Sequence, residues 1–325
     1  MNLPRRRFLY AAAGTAALPT ISRTGWTHAY PNRPVHLLTG FAAAGGSDVV
    51  ARLIGQWLSE RLGQSFVIEN RPGAGGNIGT ESVVRAAPDG YTLLLVTFAN
   101  VVNASLYKKL HFNFIRDIAP VAGLMRVPDL MAIHPSVPAR TLPEFIAYAK
   151  ANAGKITMAS AGNGSSGHLA GELLKMMVGI KLVHAPYRGN GPALTDLLGG
   201  QVELMFPTSP SVVEYVKSGR LRGLAVTGAR RSETLPDLPT IGEFVPGYEV
   251  SALYGIGAPK GTPAEVIATI NKESNAALAN PKMEARFVDL GGIVIPGSPA
   301  DFGKLIVEET EKWAKVIDAA NIRVE

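Results

Sequence analysis

The sequence of 325 residues contains no cysteine. Disulfide bonds, thiolate nucleophiles and cysteine-based metal sites are therefore excluded, and an oxidising compartment is compatible with this absence. Charged residues make up only 18% of the chain and aromatic residues 7%, and beyond residue 29 no stretch is apolar for long enough to cross a bilayer. Turn-forming residues are abundant, with 35 glycines and 23 prolines in a chain that is 46% hydrophobic. This composition is typical of a globular protein rich in turns, and the length allows two domains that share a ligand cleft.

Acidic residues are missing from the first 29 positions, which contribute four arginines to the formal net charge of +6. The rest of the chain has no cluster of Lys and Arg with interleaved aromatics, so we expect no nucleic-acid partner. The opening segment has the order of an export signal, with twin arginines at 5–7, an apolar run at 8–18 and a small-residue cleavage site at 27–29. We therefore predict a cleaved signal peptide and a mature periplasmic protein that begins near Tyr30.

A strand, a glycine-rich loop and a helix are predicted within residues 35–63. The apolar run 35–39 reads as a buried strand, and the small residues of 40–46 form the loop. Either Ser47 or Asp48 is predicted to cap the helix that follows. The unpaired N–H groups and the positive dipole at such a helix start favour an anion such as a carboxylate, which the small loop residues allow to approach closely. The alternative is an ordinary turn between strand and helix.

Two further segments place loops at the same sheet edge. The predicted strand 66–69 leads into a second glycine-rich loop at 70–79, and the apolar run 91–96 reads as a strand buried on both faces. Thr97 and Asn100 follow the carboxyl end of that strand. Because open α/β sheets bind ligands at the carboxyl ends of their strands, we expect these loops to converge on one site.

The arrangement of strand, glycine loop and helix recurs later in the chain, at 155–160, 161–167 and 168–178. The loop at 161–167 matches the pattern G-x-G-x-x-G, which is also found in dinucleotide-binding proteins. That fingerprint requires an acidic residue after the next strand, and the strand predicted at 181–187 ends in Tyr187 instead. The sequence therefore disfavours a nucleotide cofactor, and we expect none.

Alternating strands and helices indicate an α/β fold with two lobes. Predicted strands at 121–127 and 130–134 flank Pro128, where we place the first crossover between lobes, and the proline-punctuated segment 230–246 returns the chain. The predicted division is a signal peptide at 1–29, a first part of lobe 1 at 30–128, lobe 2 at 129–250 and a second part of lobe 1 at 251–325.

Two helix starts, one in each lobe, can face the same gap, and a small dicarboxylate fits between them. Neutral donors near these starts suit a ligand that must be released again: Thr97, Ser160, Ser165, Ser166, Asn100 and Asn163. Arg188 is either a partner for a carboxylate or a solvated loop residue. The aromatic side chains of Phe41, Tyr187 and Phe206 belong either to the core or to the wall of the pocket.

A hydrolase is the alternative function. Ser165 and His168 are three positions apart and can meet on one helical turn, with Asp48 as a third member. Capping explains both Ser165 and Asp48 better, so we expect no catalytic residues. The histidines beyond residue 29 show no paired spacing such as H-x-x-x-H, and we expect no metal site.

Several long motifs carry a family resemblance: GFAAAGGSDVVARLI, ENRPGAGGNIGTESVVRAAPDGYTLLL, HAPYRGNGPALTDLLGGQVELMF and GSPADFGKLIVEETEKWAKVI. The chain resembles, from about Tyr30 to Glu325, the Bug family of substrate-binding receptors of tripartite tricarboxylate transporters.

The resemblance implies a type II periplasmic binding protein without enzymatic activity, which has two lobes, a central ligand cleft and a hinge of two stretches. It further implies a monomer that binds a di-, tri- or aromatic carboxylate and presents it to the membrane components of a transporter or to a sensor. The ligand-binding residues that it implies, together with the aromatic residues above, are Phe41, Ala43, Gly45, Gly46, Ala74, Thr97, Asn100, Ala161, Asn163, Ser165, Ser166, Tyr187 and Phe206.

The chain departs from the family pattern at three places. Ala42 and Ala43 stand where many relatives have two prolines, so this loop is expected to be less constrained. Asn100 occupies a position that is often His. Pro207 stands where relatives commonly have Asp, and without that acid an amino-acid ligand is less expected.

Overall fold

The computed structural model describes residues 30–107, 109–319 and 321–322. The predicted signal peptide at 1–29 lies outside the described residues. From Pro31 onward the chain forms one compact unit. In the part of the chain that the structure describes, no helix is both long and apolar enough to cross a membrane.

The strands of the described residues form two sheets. They are β1 (Val35–Thr39), β2 (Phe66–Asn70), β3 (Thr92–Thr97), β4 (Ile118–Pro128), β5 (Leu130–Ile133), β6 (Thr157–Ser160), β7 (Val183–Pro186), β8 (Leu204–Met205), β9 (Arg222–Val226), β10 (Ser251–Pro259) and β11 (Ile293–Val294).

Helices connect most of these strands. They are α1 (Gly46–Leu62), α2 (Asn77–Val84), α3 (Phe98–Leu106), α4 (Phe114–Asp117), α5 (Leu142–Ala151), α6 (Ser166–Val178), α7 (Asn190–Leu198), α8 (Val213–Lys217), α9 (Ala264–Leu278), α10 (Pro281–Asp289) and α11 (Pro299–Ala319). Short 3₁₀ helices occur at Ala74–Gly76, Ser209–Ser211 and Ile241–Glu243.

The first sheet has six strands in the order β11-β4-β10-β3-β1-β2 and defines lobe 1. The strand β1 is parallel to β2 and β3, whereas β10 runs antiparallel to β3 and β4. Leu93 to Val96 are fully or almost fully buried, as expected for a strand with both faces covered. Because β1 and β3 are parallel, the loops after them leave the sheet at the same edge.

The second sheet has five strands in the order β7-β6-β8-β5-β9 and defines lobe 2. Its strand β6 is parallel to β7 and β8, and β5 is antiparallel to β8 and β9. The loop after β6 therefore leaves lobe 2 from the carboxyl end of a central strand, as the loop after β1 does in lobe 1. This mixed α/β architecture with two sheets confirms the predicted fold class.

The chain passes between the two sheets at neighbouring points. It leaves β4 at Pro128 and enters β5 at Leu130, and it returns after β9 to β10, which begins at Ser251. Thr227 ties the two crossings together, because its Oγ1 accepts from the Asp129 backbone N–H at 2.8 Å and donates to the Val250 carbonyl at 2.7 Å. The crossings are thus paired side by side.

The last helix, α11, contributes buried side chains to two hydrophobic clusters. Phe302 and Ile306 of α11 lie in a lobe 1 core cluster, whereas Trp313 and Ile317 belong to the cluster that contains Phe145 of lobe 2. The assignment of residues 251–325 to lobe 1 stays a prediction. A helix of 21 residues spans about 30 Å, which is long enough to reach both cores.

Helices α3 and α4 were not predicted from the sequence. Six consecutive side chains of α3, from Phe98 to Asn103, are buried. A helix that is buried all round shows no amphipathic period, so its sequence lacks the signal on which the prediction of the other helices rests.

Candidate functional site

A cavity of about 50 Å³ lies between the two lobes, and we call it the central cavity. Lobe 1 lines it with residues from the loops after β1 and β3 and with Tyr254 of β10. Lobe 2 lines it with residues from the loops after β6, β7 and β8, including Asn190 and Thr208. Since its walls come from both lobes, the cavity exists only while the lobes are close together.

Four helices begin at the central cavity. The first residues of α1 (Gly46), α3 (Phe98), α6 (Ser166) and α7 (Asn190) all line it. The backbone N–H groups at a helix start have no partner within the helix, and the helix dipole adds partial positive charge there. Four such starts from two lobes make the cavity electropositive by backbone alone.

Among the described residues that line this cavity there is no lysine, arginine or histidine. The ionisable side chains present are those of Asp129 and Tyr254. Burial raises the pKa of Asp129 to about 8 and holds the pKa of Tyr254 well above its usual range. An anion bound here is therefore held by neutral donors and helix starts rather than by an ion pair.

Eight of the thirteen predicted site residues line the central cavity. They are Phe41, Gly45, Gly46, Thr97, Ala161, Ser165, Ser166 and Phe206. Phe41 and Phe206 thus lie in the wall of this cavity, and Phe206 is also part of a hydrophobic core cluster.

Three more predicted residues, Ala74, Asn163 and Tyr187, line a second cavity of about 540 Å³, which also contains Arg188. We call it the outer cavity, and it shares Phe41 and Ala161 with the central one. Ala74, Asn163 and Tyr187 therefore line the neighbouring outer cavity and not the central one.

Ala43 and Asn100 line neither cavity. The Asn100 side chain serves the start of α3, because its Oδ1 accepts from the Thr97 backbone N–H at 2.7 Å. Its Nδ2 donates to Thr80 Oγ1 at 2.6 Å. The amide is thus committed inside lobe 1 and supports Thr97, which does line the central cavity.

The predicted cap of α1 is wrong. The helix begins at Gly46 with Gly45 as its N-cap, and no side chain caps it. Asp48 Oδ2 accepts instead from the Ala44 backbone N–H at 3.0 Å and from Arg52 at 2.9 Å, so Asp48 fixes the preceding loop. The helix consequently starts earlier in the chain than predicted.

Ser165 and His168 do not form a catalytic pair. Ser165 Oγ donates to the Gly162 carbonyl at 2.7 Å and accepts from the His168 backbone N–H at 3.3 Å, which is the geometry of an N-cap. The imidazole Nδ1 of His168 accepts from the Gly164 N–H at 3.2 Å, and the ring stacks on His184 with centroids 4.1 Å apart. Burial lowers the pKa of His168 to about 3. The imidazole is a structural group with no contact to the serine hydroxyl.

Sequence reasoning missed part of the cavity wall, namely Ser47, Phe98, Ala99, Asp129, Gly167, Gly189, Asn190, Thr208, Ala252 and Tyr254. Some of these residues lie directly next to predicted ones in the glycine loops, and their position in those loops is the signal that could have identified them. Asp129, Thr208 and Tyr254 lie at or near the crossings between sheets, where no local motif marks a site.

The two lobes touch across the cleft. A Cβ atom on Gly75 of lobe 1 would lie 2.6 Å from the Asn163 backbone oxygen of lobe 2, and one on Gly46 would lie 2.7 Å from Thr208 Oγ1. Glycine is required where backbones approach this closely. The structure therefore shows the lobes in a closed arrangement around the central cavity.

Two α/β lobes that close on a small cavity lined by helix starts define a solute-binding protein. A family model described as "Tripartite tricarboxylate transporter family receptor" matches residues 50–322. The chain belongs to this receptor family, which is a group of periplasmic solute-binding proteins rather than enzymes.

Solved structures support the same assignment. The chain is similar to "R. palustris Rpa4515 with adipate" with a TM-score of 0.88 and 36% identity, over 91% of this chain and 100% of that one. It is similar to "periplasmic binding protein BugD" with a TM-score of 0.87 and 37% identity, over 91% and 100% of the two chains. For "MatC (Rpa3494) from Rhodopseudomonas palustris with bound malate" the TM-score is 0.84 and the identity 33%, over 89% and 100%. The resemblance noted in the sequence is confirmed.

Proposed function

We propose that this protein is a periplasmic receptor that closes on a small carboxylate, with a dicarboxylate as the best fit. The observation that carries the proposal is the convergence of four helix starts on one small cavity without a cationic side chain. The similar proteins whose structures contain adipate and malate bind such dianions. Neutral donors hold the ligand without an ion pair, which suits reversible capture.

We infer that the cavity-lining residues bind the ligand, and that the paired crossings at Asp129 and after Thr227 form the hinge between lobe 1 and lobe 2. Ligand binding shifts the population toward the closed arrangement by its greater affinity for that state. The predicted residues Ala74, Asn163 and Tyr187 act at the approach to the cavity. We further propose that the segment 1–29 directs export and that the protein is a monomer. It delivers the ligand to the membrane components of a transporter or to a sensor.

A thermal-shift screen tests the proposed ligand class. Protein that has been unfolded, stripped of ligand and refolded is heated with mono-, di-, tri- and aromatic carboxylates and with acidic amino acids. A ligand at one hundred times its Kd adds about 2.7 kcal/mol of stability, so we expect a rise of several degrees in Tm for at least one dicarboxylate. The corresponding diamide is the control, because it keeps the shape without the charge. An unchanged Tm with every carboxylate would contradict the proposal.

Ser165→Ala separates a receptor from a hydrolase. Loss of the N-cap hydroxyl costs about 1 kcal/mol of stability. The hydroxyl also fixes the start of α6 at the cavity wall, so its loss is expected to weaken binding about threefold to tenfold. Thr141→Ala is the matched control, since Thr141 caps α5 in the same way and does not line the cavity. The measurements are Kd by calorimetry and Tm. Retained affinity with the loss of a hydrolytic activity would support the hydrolase instead.

A further inference from the structure

Asp129 is a buried acid in the wall of the central cavity. Its side chain has no exposed surface, and neither carboxyl oxygen has a hydrogen-bond partner within the described residues. Its backbone is held firmly, because Thr227 accepts from its N–H at 2.8 Å and Thr227 N–H donates to its carbonyl at 2.9 Å. A buried polar group without a partner is costly, so this carboxyl group is expected to have a partner that enters the cavity.

None of the described side chains that line the central cavity around Asp129 is positively charged. The titratable groups that face it are Tyr254 of β10 and Tyr248 in the segment before β10, and the pKa of each is raised by burial and by the nearby carboxyl. The Ser166 hydroxyl of α6 lies near the Asp129 carboxyl group and offsets part of the rise in its pKa. The two groups do not form a hydrogen bond of ordinary geometry. Burial still raises the pKa of Asp129 to about 8, so this carboxyl group is mostly neutral at pH 7 in the ligand-free protein.

A carboxylate ligand reinforces this neutral state. The ligand anion at the helix starts shares the small cavity with Asp129, and two neighbouring carboxylates do not both ionise in a buried site. A protonated carboxyl group has one O–H donor, and a hydrogen bond from it to a carboxylate oxygen is short and strong. An ionised Asp129 would instead favour a ligand with an ammonium group.

We propose that Asp129 contacts the ligand as a neutral carboxyl group and donates its O–H to a ligand carboxylate oxygen, and that it thereby selects carboxylates without an ammonium group. The inference rests on the proposed function, since it names the specificity-determining residue of the same site. No bond other than this hydrogen bond forms. When Asp129 is ionised in the free protein, it takes up one proton from solvent as the ligand binds.

Calorimetric titration with succinate, malate and adipate tests the inference. The charge of these ligands is constant between pH 7 and pH 10. The affinity of the wild type is nevertheless expected to fall by up to about 100-fold over that range, because Asp129 must take up one proton for each ligand bound at pH 10. Asp129→Asn keeps an N–H donor and cannot ionise, so its affinity at pH 7 is expected within about threefold of wild type and without this pH dependence. Asp129→Leu, which has no donor, is expected to bind at least about tenfold more weakly.

The control is Asp289→Asn on α10, which removes an exposed carboxylate outside both cavities and should leave the pH dependence unchanged. Loss of dicarboxylate binding in Asp129→Asn, or a wild-type preference for aspartate or glutamate that this variant abolishes, overturns the inference.

Infrared spectra of ligand-free wild type and Asp129→Asn provide a test that needs no ligand. The inference requires a protonated carboxyl band at pH 6 that is lost at pH 10 and missing from the variant. If no carboxylate binds but the band is present, the proposed function fails and the neutral state of Asp129 stands; if the band is missing, the inference fails.

Discussion

Gly167→Ala is expected to destabilise the protein by about 3 kcal/mol, a decrease in Tm of about 5–10 °C. Gly167 is the second residue of α6, and a Cβ atom there would lie 2.2 Å from the Phe206 backbone oxygen and 3.2 Å from its carbonyl carbon. Phe206 directly follows β8, which pairs with β5 and β6 inside the second sheet. Its backbone cannot move aside without breaking these pairings, so α6 must shift away from the cavity. Urea unfolding measures the loss.

Gly191→Ala is the matched control for this variant. Gly191 is the second residue of α7, and an added Cβ atom would meet nothing within 4 Å. Alanine is favoured over glycine in a helix, so this variant is expected to be unchanged or more stable by up to about 1 kcal/mol. Equal free energies of unfolding for the two variants would show that α6 does not pack against Phe206 as described.

Gly46→Ala is expected to weaken ligand binding about tenfold to 100-fold, while the close contact with Tyr254 inside lobe 1 costs the ligand-free protein no more than about 1 kcal/mol of stability. The added Cβ atom would lie 2.7 Å from Thr208 Oγ1 of lobe 2 and 3.1 Å from Tyr254 Oη. Asn190 Nδ2 holds that threonine oxygen at 3.0 Å, so it cannot turn away freely. The methyl group therefore opposes closure, and apparent affinity falls in proportion to the lost closed population.

Calorimetry with the ligand identified by the thermal-shift screen gives the affinity, and small-angle scattering gives the fraction of closed molecules at saturation. We expect Gly46→Ala to remain more open than wild type at the same ligand concentration. Gly191→Ala again serves as the control, because it introduces the same methyl group at a helix start without a contact across the cleft. Wild-type affinity in Gly46→Ala would contradict the role of this contact in closure.

Local patterns in the sequence were sufficient to locate the main parts of the site. The loops at 40–46 and 161–167 each follow an apolar strand and precede an amphipathic helix, and the structure places their ends at the central cavity. The same patterns set helix starts only approximately. The helix α1 begins at Gly46, earlier than expected, and α2 begins at Asn77 within the loop predicted at 70–79, because a glycine N-cap leaves no side-chain signal.

The sequence by itself determined the two strand-loop-helix units, the α/β class and the family, because these depend on contacts within a few residues and on motifs that are continuous in the chain. Tertiary structure decided which residues line the central cavity. In the folded protein the Asn100 side chain hydrogen-bonds to the start of α3 instead of lining the cavity. Asp129, Thr208 and Tyr254 come together in the wall of one cavity. Thr208 comes 79 positions after Asp129 and Tyr254 a further 46, and they are brought together by the bridge between Asp129 and Thr208 and by the pairing of β10 with β4. No local pattern encodes that pairing, since its energy comes from burial and hydrogen bonds between distant segments.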